Sequence, residues 1–437
     1  MNKTVLEIKK GDITDEKVDA IVNSANPRLS PGGGVSGAIH KVAGEELWKE
    51  CKKLGGCAKG EAKITSGYKL PAKYVIHTVG PVYGGDKKPA ELLEKCYRSS
   101  METALKNGVK SIAFPAISTG IYGYPMQEAA EIAINAITDF ISKNEGIEVV
   151  KIVLYDEKAY EIHKNILEDL IKKNEKIEKL KDMIKKMKRV LVAFSGGVDS
   201  TFLTKICSDV LGKENVVAVT AQSELYTPEE IEEAKKMANF MGVEHLIIHT
   251  DEMKNERFIS NDTGRCYICK KELFMKLREI ANSRKIKYIL DGSNADDIHD
   301  FRPGRKAVKE FKVISPLMDV GLTKEEIRFF SKKMNLPYHE KPSNACLASR
   351  FPYGEKITKE KIKMVYEAEK FLRNLGFRIV RVRHHGKIAR IEVNENEIKK
   401  ILEFREKISR EFKRIGYVWI CLDIEGYRTG SMNEELS

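Results

Sequence analysis

Val190-Leu191-Val192-Ala193-Phe194-Ser195-Gly196-Gly197-Val198-Asp199-Ser200 is an apolar run that ends in a glycine turn, and an amphipathic helical pattern follows from about Thr201. A strand that feeds a helix through such a turn is the repeating step of an α/β domain. The turn has the chemistry of an anion site. Glycines let the backbone approach a phosphate, and the free amides at the helix start point at it with the positive end of the helix dipole. Ser195 and Ser200 add hydroxyl donors, Gly196 and Gly197 supply the close approach, and Asp199 can orient the loop or hold Mg2+, a hard cation that favours oxygen. There is no Gly-Lys-Ser/Thr ending, so this is not a Walker loop. The plain alternative is a Gly/Ser-rich corner between a strand and a helix.

Two series of apolar runs extend on either side of this turn. The first has strands expected near Val5 to Ile8, Ala20 to Val22, Tyr74 to Val79, Ser111 to Phe114 and Val149 to Tyr155. A Lys/Glu-rich stretch follows in which Ile162, Ile166, Leu170, Ile177, Leu180, Ile184 and Met187 recur at helical steps, and it places a domain boundary near Asn174. The second series has strands at Arg189 to Phe194, Val216 to Val219, Leu246 to His249 and Tyr288 to Leu290. After about Phe351 the pattern becomes helix, strands at Ile379 to Arg383 and Ala389 to Val393, helix, and a last strand Val418 to Asp423. The expected organisation is therefore an α/β domain over 1–173, a second α/β domain over 174–350 and a small α+β domain over 351–437.

Composition bounds the function. The 437 residues allow several domains, and no apolar run approaches the roughly 20 residues of a membrane-spanning helix. The amino-terminal stretch lacks the pattern of a secretory signal, so the expected location is the cytoplasm, with reduced cysteines. Eight Cys are too few for a disulfide framework, so close spacing points to metal binding or catalysis. The net charge of +12 favours anionic ligands. Lys and Glu alternate almost everywhere, so a small nucleotide is the expected partner rather than nucleic acid or a membrane, with self-association into a homo-oligomer as a further expectation.

Around the Ser195 to Ser200 turn the chain resembles the PP-loop ATP pyrophosphatases, which bind ATP, adenylate a carbonyl or carboxylate oxygen and release pyrophosphate. Further motifs narrow the resemblance: Ser223-Glu224-Leu225-Tyr226, Leu290-Asp291-Gly292-Ser293-Asn294, Asp300-Phe301-Arg302-Pro303-Gly304, Ala345-Cys346-Leu347-Ala348-Ser349-Arg350-Phe351-Pro352, Val380-Arg381-Val382-Arg383 and Leu422-Asp423-Ile424-Glu425-Gly426-Tyr427-Arg428. Together, from about residue 176 onward, they look like the LarE family. That resemblance implies thiolation of a pyridinium dicarboxylate mononucleotide on the way to the nickel-pincer nucleotide. It also implies ATP binding by Ser195, Gly196, Gly197, Asp199, Ser200, Asp291 and Gly292, catalysis by Cys346 and Asp199, and substrate binding by Ser349, Arg350, Glu369, Arg381, Arg383 and Asp423. On a strand, Arg381 and Arg383 share one side, where they could grip a phosphate or lie on a solvated edge.

Cys266 and Cys269, spaced Cys-x-x-Cys at an apparent helix start, and Cys346 form a candidate metal set. Three thiolates suit a [4Fe-4S] cluster with one open iron that can carry sulfide. Family members with a single cysteine resemble enzymes that give up their own sulfur, and those with the extra pair resemble cluster-dependent ones. A zinc site completed by His339, or unliganded thiols, are the other readings. Cys207 and Cys421 stand alone on apolar segments and are expected in the core.

The amino-terminal part resembles a macro domain, which implies ADP-ribose binding. The motifs are Gly11-Asp12-Ile13-Thr14, Val22-Asn23-Ser24-Ala25-Asn26, Pro31-Gly32-Gly33-Gly34-Val35, His77-Thr78-Val79-Gly80-Pro81 and Pro115 to Gly123. Expected contacts are Asp12, Ile13, Asn23, Asn26, Gly33, Gly34, Val35, Ser118, Thr119, Gly120, Ile121 and Tyr122, with Asp12 on the adenine and Asn26 on the distal ribose. Ser36 stands where the hydrolytic branch commonly carries Asp, which favours a binding module over a hydrolase. Two rival functions complete the sequence reading: a tRNA-thiolating PP-loop enzyme, and a non-catalytic nucleotide sensor.

Overall fold

The computed structural model describes residues 4–298, 304–339, 341, 345–428 and 431–436. The chain divides into two compact units, Met1–Lys172 and Lys173–Ser437, and the division falls inside the helix Glu157–Lys185.

The first unit has strands β1 (Val5–Lys10), β2 (Ala20–Ser24), β3 (Ala62–Ser66), β4 (Tyr74–Thr78), β5 (Ser111–Phe114) and β6 (Val149–Leu154). They form one mixed sheet in the order β1-β6-β5-β2-β4-β3. Only β3 runs antiparallel to its neighbour, with Ile64 opposite Ile76. The central β2 is buried along most of its length, as a parallel strand covered on both faces must be, whereas β1 at the edge is largely open. The apolar periodicity missed β3, because Ala-Lys-Ile-Thr-Ser has a single large apolar residue and needs only one partner at the sheet edge.

The second unit holds two sheets. Strands β7 (Val190–Ala193), β8 (Val216–Gln222), β9 (Glu244–His249) and β10 (Tyr288–Leu290) are all parallel, in the order β10-β7-β8-β9. The chain leaves β7 to build β8 and β9 on one side, then returns to add β10 on the other. Such a switch in direction opens a crevice at the carboxyl ends of the strands, where open α/β sheets bind ligands. The Ser195 to Ser200 turn lies at that end of β7. Its helix begins at Val198, three residues before the start expected from periodicity, so Asp199 and Ser200 belong to the first helical turn instead of a free loop. The other sheet has β11 (Val380–His385) antiparallel to β12 (Ile388–Val393) and β12 parallel to β13 (Trp419–Leu422). Val380, Val382, Ala389, Ile391 and Val393 pack with Leu372 and Phe412 from the helices Lys359–Asn374 and Arg405–Ile415.

Cys421 departs from expectation. It is exposed on β13, because Ile420 and Leu422 take the inward positions of the alternation, whereas Cys207 is buried as expected. Asp300 to Pro303 of the Asp300-Gly304 motif lie outside the described residues. No helix among the described residues is long and apolar enough to cross a membrane.

Phe202, on the helix that follows the glycine turn, is fully buried and stacks near Phe330 with ring centroids 6.4 Å apart. Phe202→Ala is expected to destabilise the second unit by about 3–5 kcal/mol. Urea unfolding followed by circular dichroism measures this directly; a loss below about 1 kcal/mol would contradict the packing described.

Candidate functional sites

In the first unit the loops after β1, β2, β5 and β6 surround a cavity of about 800 Å³. Asp12, Ile13, Asn26, Gly33, Gly34, Val35, Ser118, Thr119, Gly120, Ile121 and Tyr122 all line it. The helix Gly34–Ala43 starts at its wall, with Gly33 as cap and no side chain occupying the first amides. Those amides are therefore available to an anion. Asp12 caps a short 3-10 turn and accepts from the Thr14 amide at 2.9 Å and the Thr14 hydroxyl at 2.7 Å. Asn26 is folded back onto Ser30, its Nδ2 donating to the Ser30 carbonyl at 2.8 Å.

Asn23 does not line the cavity. It is fully buried, and its Nδ2 donates to Nδ1 of His77 at 3.1 Å. Burial pushes His77 down to about 3, so the ring is neutral and its Nε2–H is left for Thr65 Oγ1 at 2.9 Å. Ser36 lines the cavity with a buried hydroxyl that has no hydrogen-bond partner.

In the second unit a cavity of about 340 Å³ sits at the switch point. Ser195, Gly197, Asp199, Ser200, Asp291, Gly292 and Cys346 line it. Gly196 does not. Its φ of +69° is a left-handed conformation, and a Cβ there would sit 2.9 Å from the Ala234 backbone, so glycine seats the turn against the helix Pro228–Met241. Gly292 serves a comparable purpose, because a Cβ would come within 2.9 Å of the Ser200 amide. Asp291 is held by Ser293 Oγ at 2.9 Å and Ser315 Oγ at 2.6 Å.

Burial raises the Asp199 carboxyl above its usual range; Lys324, 3.6 Å away, pulls it back and Asp297 pushes it further up. Two carboxylates in the lining of one cavity, Asp199 and Asp297, fit Mg2+, which takes one or two protein carboxylates and fills its other positions with water and phosphate oxygens. Tyr226 stood in a quoted motif without a role, and Glu230, Lys270, Asp297, Lys324 and Lys341 of this lining went unnoticed in the sequence. Lys324 did carry a signal: a cation at the first position of a helix opposes the dipole, so it needs a local anion such as Asp199.

Cys346 reaches this cavity from a segment far along the chain. Arg265, which opens the helix carrying Cys266 and Cys269, donates through Nη1 to the Ala348 carbonyl at 2.7 Å, and the Leu347 amide bonds Leu225 at 3.1 Å. Cys269 and Cys346 pack on the same apolar cluster as Leu225, Phe258 and Phe351. Burial raises the Cys269 thiol, and Glu252, Cys346 and Cys266 raise it further; burial also raises Cys346, with Arg265 and Arg350 opposing. Cys269 Sγ donates to the buried Glu252 carboxylate at 3.5 Å, whereas Cys266 is exposed at the start of the same helix. As the side chains stand, no three metal-ligating groups converge among the described residues. His339 instead hydrogen-bonds through Nδ1 to the Leu336 carbonyl.

The remaining predicted residues form a second cluster beside Cys346 rather than lining the cavity. Arg350 donates to both Glu369 oxygens at 2.8 and 3.2 Å and to the carbonyls of Ala345 and Cys346. Arg383 grips Glu392 at 2.9 and 2.6 Å and bonds the Ser349 carbonyl at 3.1 Å. Arg381 lies over the Tyr427 ring, and Asp423 faces Arg390 and Arg428, each at 3.7 Å. Glu369 is not solvent-exposed, as a helical surface position would be, but fully buried.

The macro domain family model matches residues 22–133, and the NAD synthase family model matches residues 170–278. A pyridinium-3,5-bisthiocarboxylic acid mononucleotide synthase from Lactiplantibacillus plantarum is 38% identical over 58% of this chain and 92% of its own length. A macro domain-containing protein from Methanosarcina mazei is 56% identical over 36% of this chain and 84% of its own. An O-acetyl-ADP-ribose deacetylase from Citrobacter rodentium is 52% identical over 35% of this chain and 89% of its own.

Burial works to raise Glu369, but Arg350, with Arg381 and Arg373, outweighs it and holds the carboxyl at about 2. Because the folded value lies below the unfolded one, this group stabilises the fold fully above the ordinary carboxylate range. That stabilisation disappears as the pH falls toward about 2. Glu369→Gln is expected to lower stability at pH 7 and to flatten the part of the stability profile between about pH 4.5 and 2. Chemical denaturation across that range compares the two proteins.

Proposed function

The chain belongs to the LarE family of PP-loop ATP-dependent sulfurtransferases through its second unit and carries a macro domain in its first, and from that premise we propose the following reaction. ATP binds at the Ser195 to Ser200 turn, and a carboxylate oxygen of a pyridinium dicarboxylate mononucleotide attacks the α-phosphorus. Pyrophosphate leaves. A sulfur nucleophile then attacks the acyl carbon, and AMP departs with the original oxygen, leaving a thiocarboxylate. Asp199, with Asp297, supports Mg2+ on the phosphates, and the hydroxyls of Ser195 and Ser200 hold their oxygens. The observation that carries this reading is that Cys346 and the glycine turn line one cavity. An adenylate formed there is within reach of sulfur.

Cys266, Cys269 and Cys346 would hold a [4Fe-4S] cluster, whose open iron supplies sulfide when the cluster is bound. The all-thiol donor set and the shared apolar cluster of Cys269 and Cys346 support this assignment; the side chains must move to bring the three ligands together. A second reading, sacrifice of the Cys346 sulfur itself, draws on Cys346 being the one of these three thiols that lines the cavity. We assign the carboxy-terminal segment from residue 351 to substrate binding, and ADP-ribose to the cavity of the first unit.

Asp199→Asn and Ser200→Ala are expected to reduce ATP-pyrophosphate exchange by at least about 100-fold without unfolding the protein. Exchange at the parent rate would refute the phosphate assignment. Anaerobic iron and sulfide analysis separates the two sulfur routes. Loss of the cluster absorbance in each of Cys266→Ala, Cys269→Ala and Cys346→Ala supports the cluster, whereas full repeated turnover in the first two supports the sacrificial cysteine.

A further inference from the structure

Glu252 opens a short 3-10 turn, Glu252–Lys254, just beyond the carboxyl end of β9, at the same end of the parallel sheet as the glycine turn after β7. Its side chain is fully buried, at 0% exposure. The surroundings are apolar: the adjoining Met253 packs with Leu225, Phe258 and Phe351, and Cys269 and Cys346 rest on the same cluster. One carboxylate oxygen accepts from Cys269 Sγ at 3.5 Å, and the other, Oε2, is buried with no hydrogen-bond partner. Among the described residues the carboxylate therefore faces a thiol and no cation. Taking a carboxylate out of water without a counter-charge is costly, and a buried oxygen left unpaired marks a place where an ion, a water or a bound group completes the structure. A bridging water satisfies such an oxygen only with further polar partners. The neighbouring Cys269 offers sulfur instead, and sulfur with carboxylate is a donor set for a transition metal. A second orphan lies one residue before the cysteine pair. Arg265 is 6% exposed and its Nε is buried with no acceptor, although its Nη1 donates to the Ala348 carbonyl at 2.7 Å. An N–H donor suits the sulfur of an iron-sulfur cluster, whose potential responds to such hydrogen bonds. The unpaired acceptor and the unpaired donor thus both fall at the first turns of the cysteine-bearing helix Arg265–Ser283.

We infer that Glu252 is a fourth protein ligand of the proposed [4Fe-4S] cluster, bound to the iron that Cys266, Cys269 and Cys346 leave open. This rests on the proposed function and deepens it, because the open iron is then guarded by a carboxylate between turnovers. Glu252 and Cys269 are already in contact, and Cys266 and Cys346 must close on them to complete the set. The ligand types explain the division of labour. Thiolates are soft donors that hold cluster iron firmly, whereas a carboxylate oxygen is hard and exchanges more readily for sulfur. Glu252 keeps the fourth iron in place and gives way to hydrosulfide. In that exchange the Fe–O bond to Glu252 breaks and an Fe–S bond to the incoming sulfur forms. One monoanion replaces another, so no electron moves and no oxidant or reductant is needed.

The test reconstitutes the full chain with iron and sulfide under anaerobic conditions and then oxidises it mildly, with iron content and electron paramagnetic resonance as readouts that need no turnover. The parent is expected to keep its fourth iron and to change its spectrum when hydrosulfide is added. Glu252→Ala should lose that iron under the same oxidation and raise the [3Fe-4S] signal about tenfold, while the three thiolates retain the remainder. Glu252→Cys should keep the fourth iron and stop responding to hydrosulfide, because a fourth thiolate does not give way. This second variant separates ligation from folding, since a merely structural role would make both substitutions lose iron alike. A Glu252→Ala protein that keeps the fourth iron as the parent does, a Glu252→Cys protein that loses it as Glu252→Ala does, or an iron-loaded parent that ignores hydrosulfide would overturn the assignment. Failure of the proposed function reads out separately, as a parent that takes up no iron or shows no ATP-pyrophosphate exchange.

Discussion

The buried pair Arg350 and Glu369 ties together three pieces of the second unit that are distant in sequence. Arg350 fixes the backbone around Cys346 through the carbonyls of Ala345 and Cys346, and Glu369 accepts from the β11 amide of Val382 at 3.1 Å. The segment carrying Cys346, the helix Lys359–Asn374 and the strand carrying Arg381 and Arg383 therefore share one ionic centre. Burying such a pair costs several kcal/mol of desolvation, which is offset only when the remaining donors and acceptors are satisfied. Here they are: Arg350 Nε and Nη2 meet the carboxylate, and Nη1 meets two carbonyls and the Ser349 hydroxyl. The arrangement stabilises one position of Cys346 relative to the strand that carries Arg381 and Arg383.

The two cavities use the same physical device. In each, a glycine-bearing turn leads into a helix that starts with open amides, at Gly33 and Gly34 in one unit and at Val198 in the other, where the preceding Gly197 amide donates to Ser195 Oγ at 3.3 Å. They differ in the charge added. Lys270, Lys324 and Lys341 line the second cavity together with Asp199 and Asp297, a mixture suited to a triphosphate with its cation. The first cavity has Asp12 and Asp156 as its acidic residues and a wide apolar rim that includes Ile121 and Tyr155, which suits a ligand bound mainly through stacking and backbone amides.

Much of this was legible in the chain. The apolar strands and glycine turns follow from local rules, so β2, β7, β8 and the Ser195 to Ser200 corner are readable one at a time. The spacing Arg381-Val382-Arg383 likewise fixes which side of a strand the arginines share. Other features are invisible locally. β3 is held by its partner rather than by its own composition, and Cys421 points outward because its neighbours claim the core. Asn23 belongs to the Val22 to Asn26 motif yet turns inward to a neutral histidine from another strand.

The sequence by itself determined the two nucleotide-binding corners and the residue types available for phosphate, cation and sulfur chemistry, because those depend on backbone freedom and side-chain identity over a few residues. Only the tertiary structure decided which of them meet. Cys346 enters the cavity at the glycine turn through contacts from Arg265 and Leu225, Lys324 faces Asp199 across the switch point, and Arg390 lies opposite Arg383 through strand register. Each of these is a long-range contact whose partners carry no mark of one another in the linear chain, since burial, register and charge compensation arise only when the elements pack.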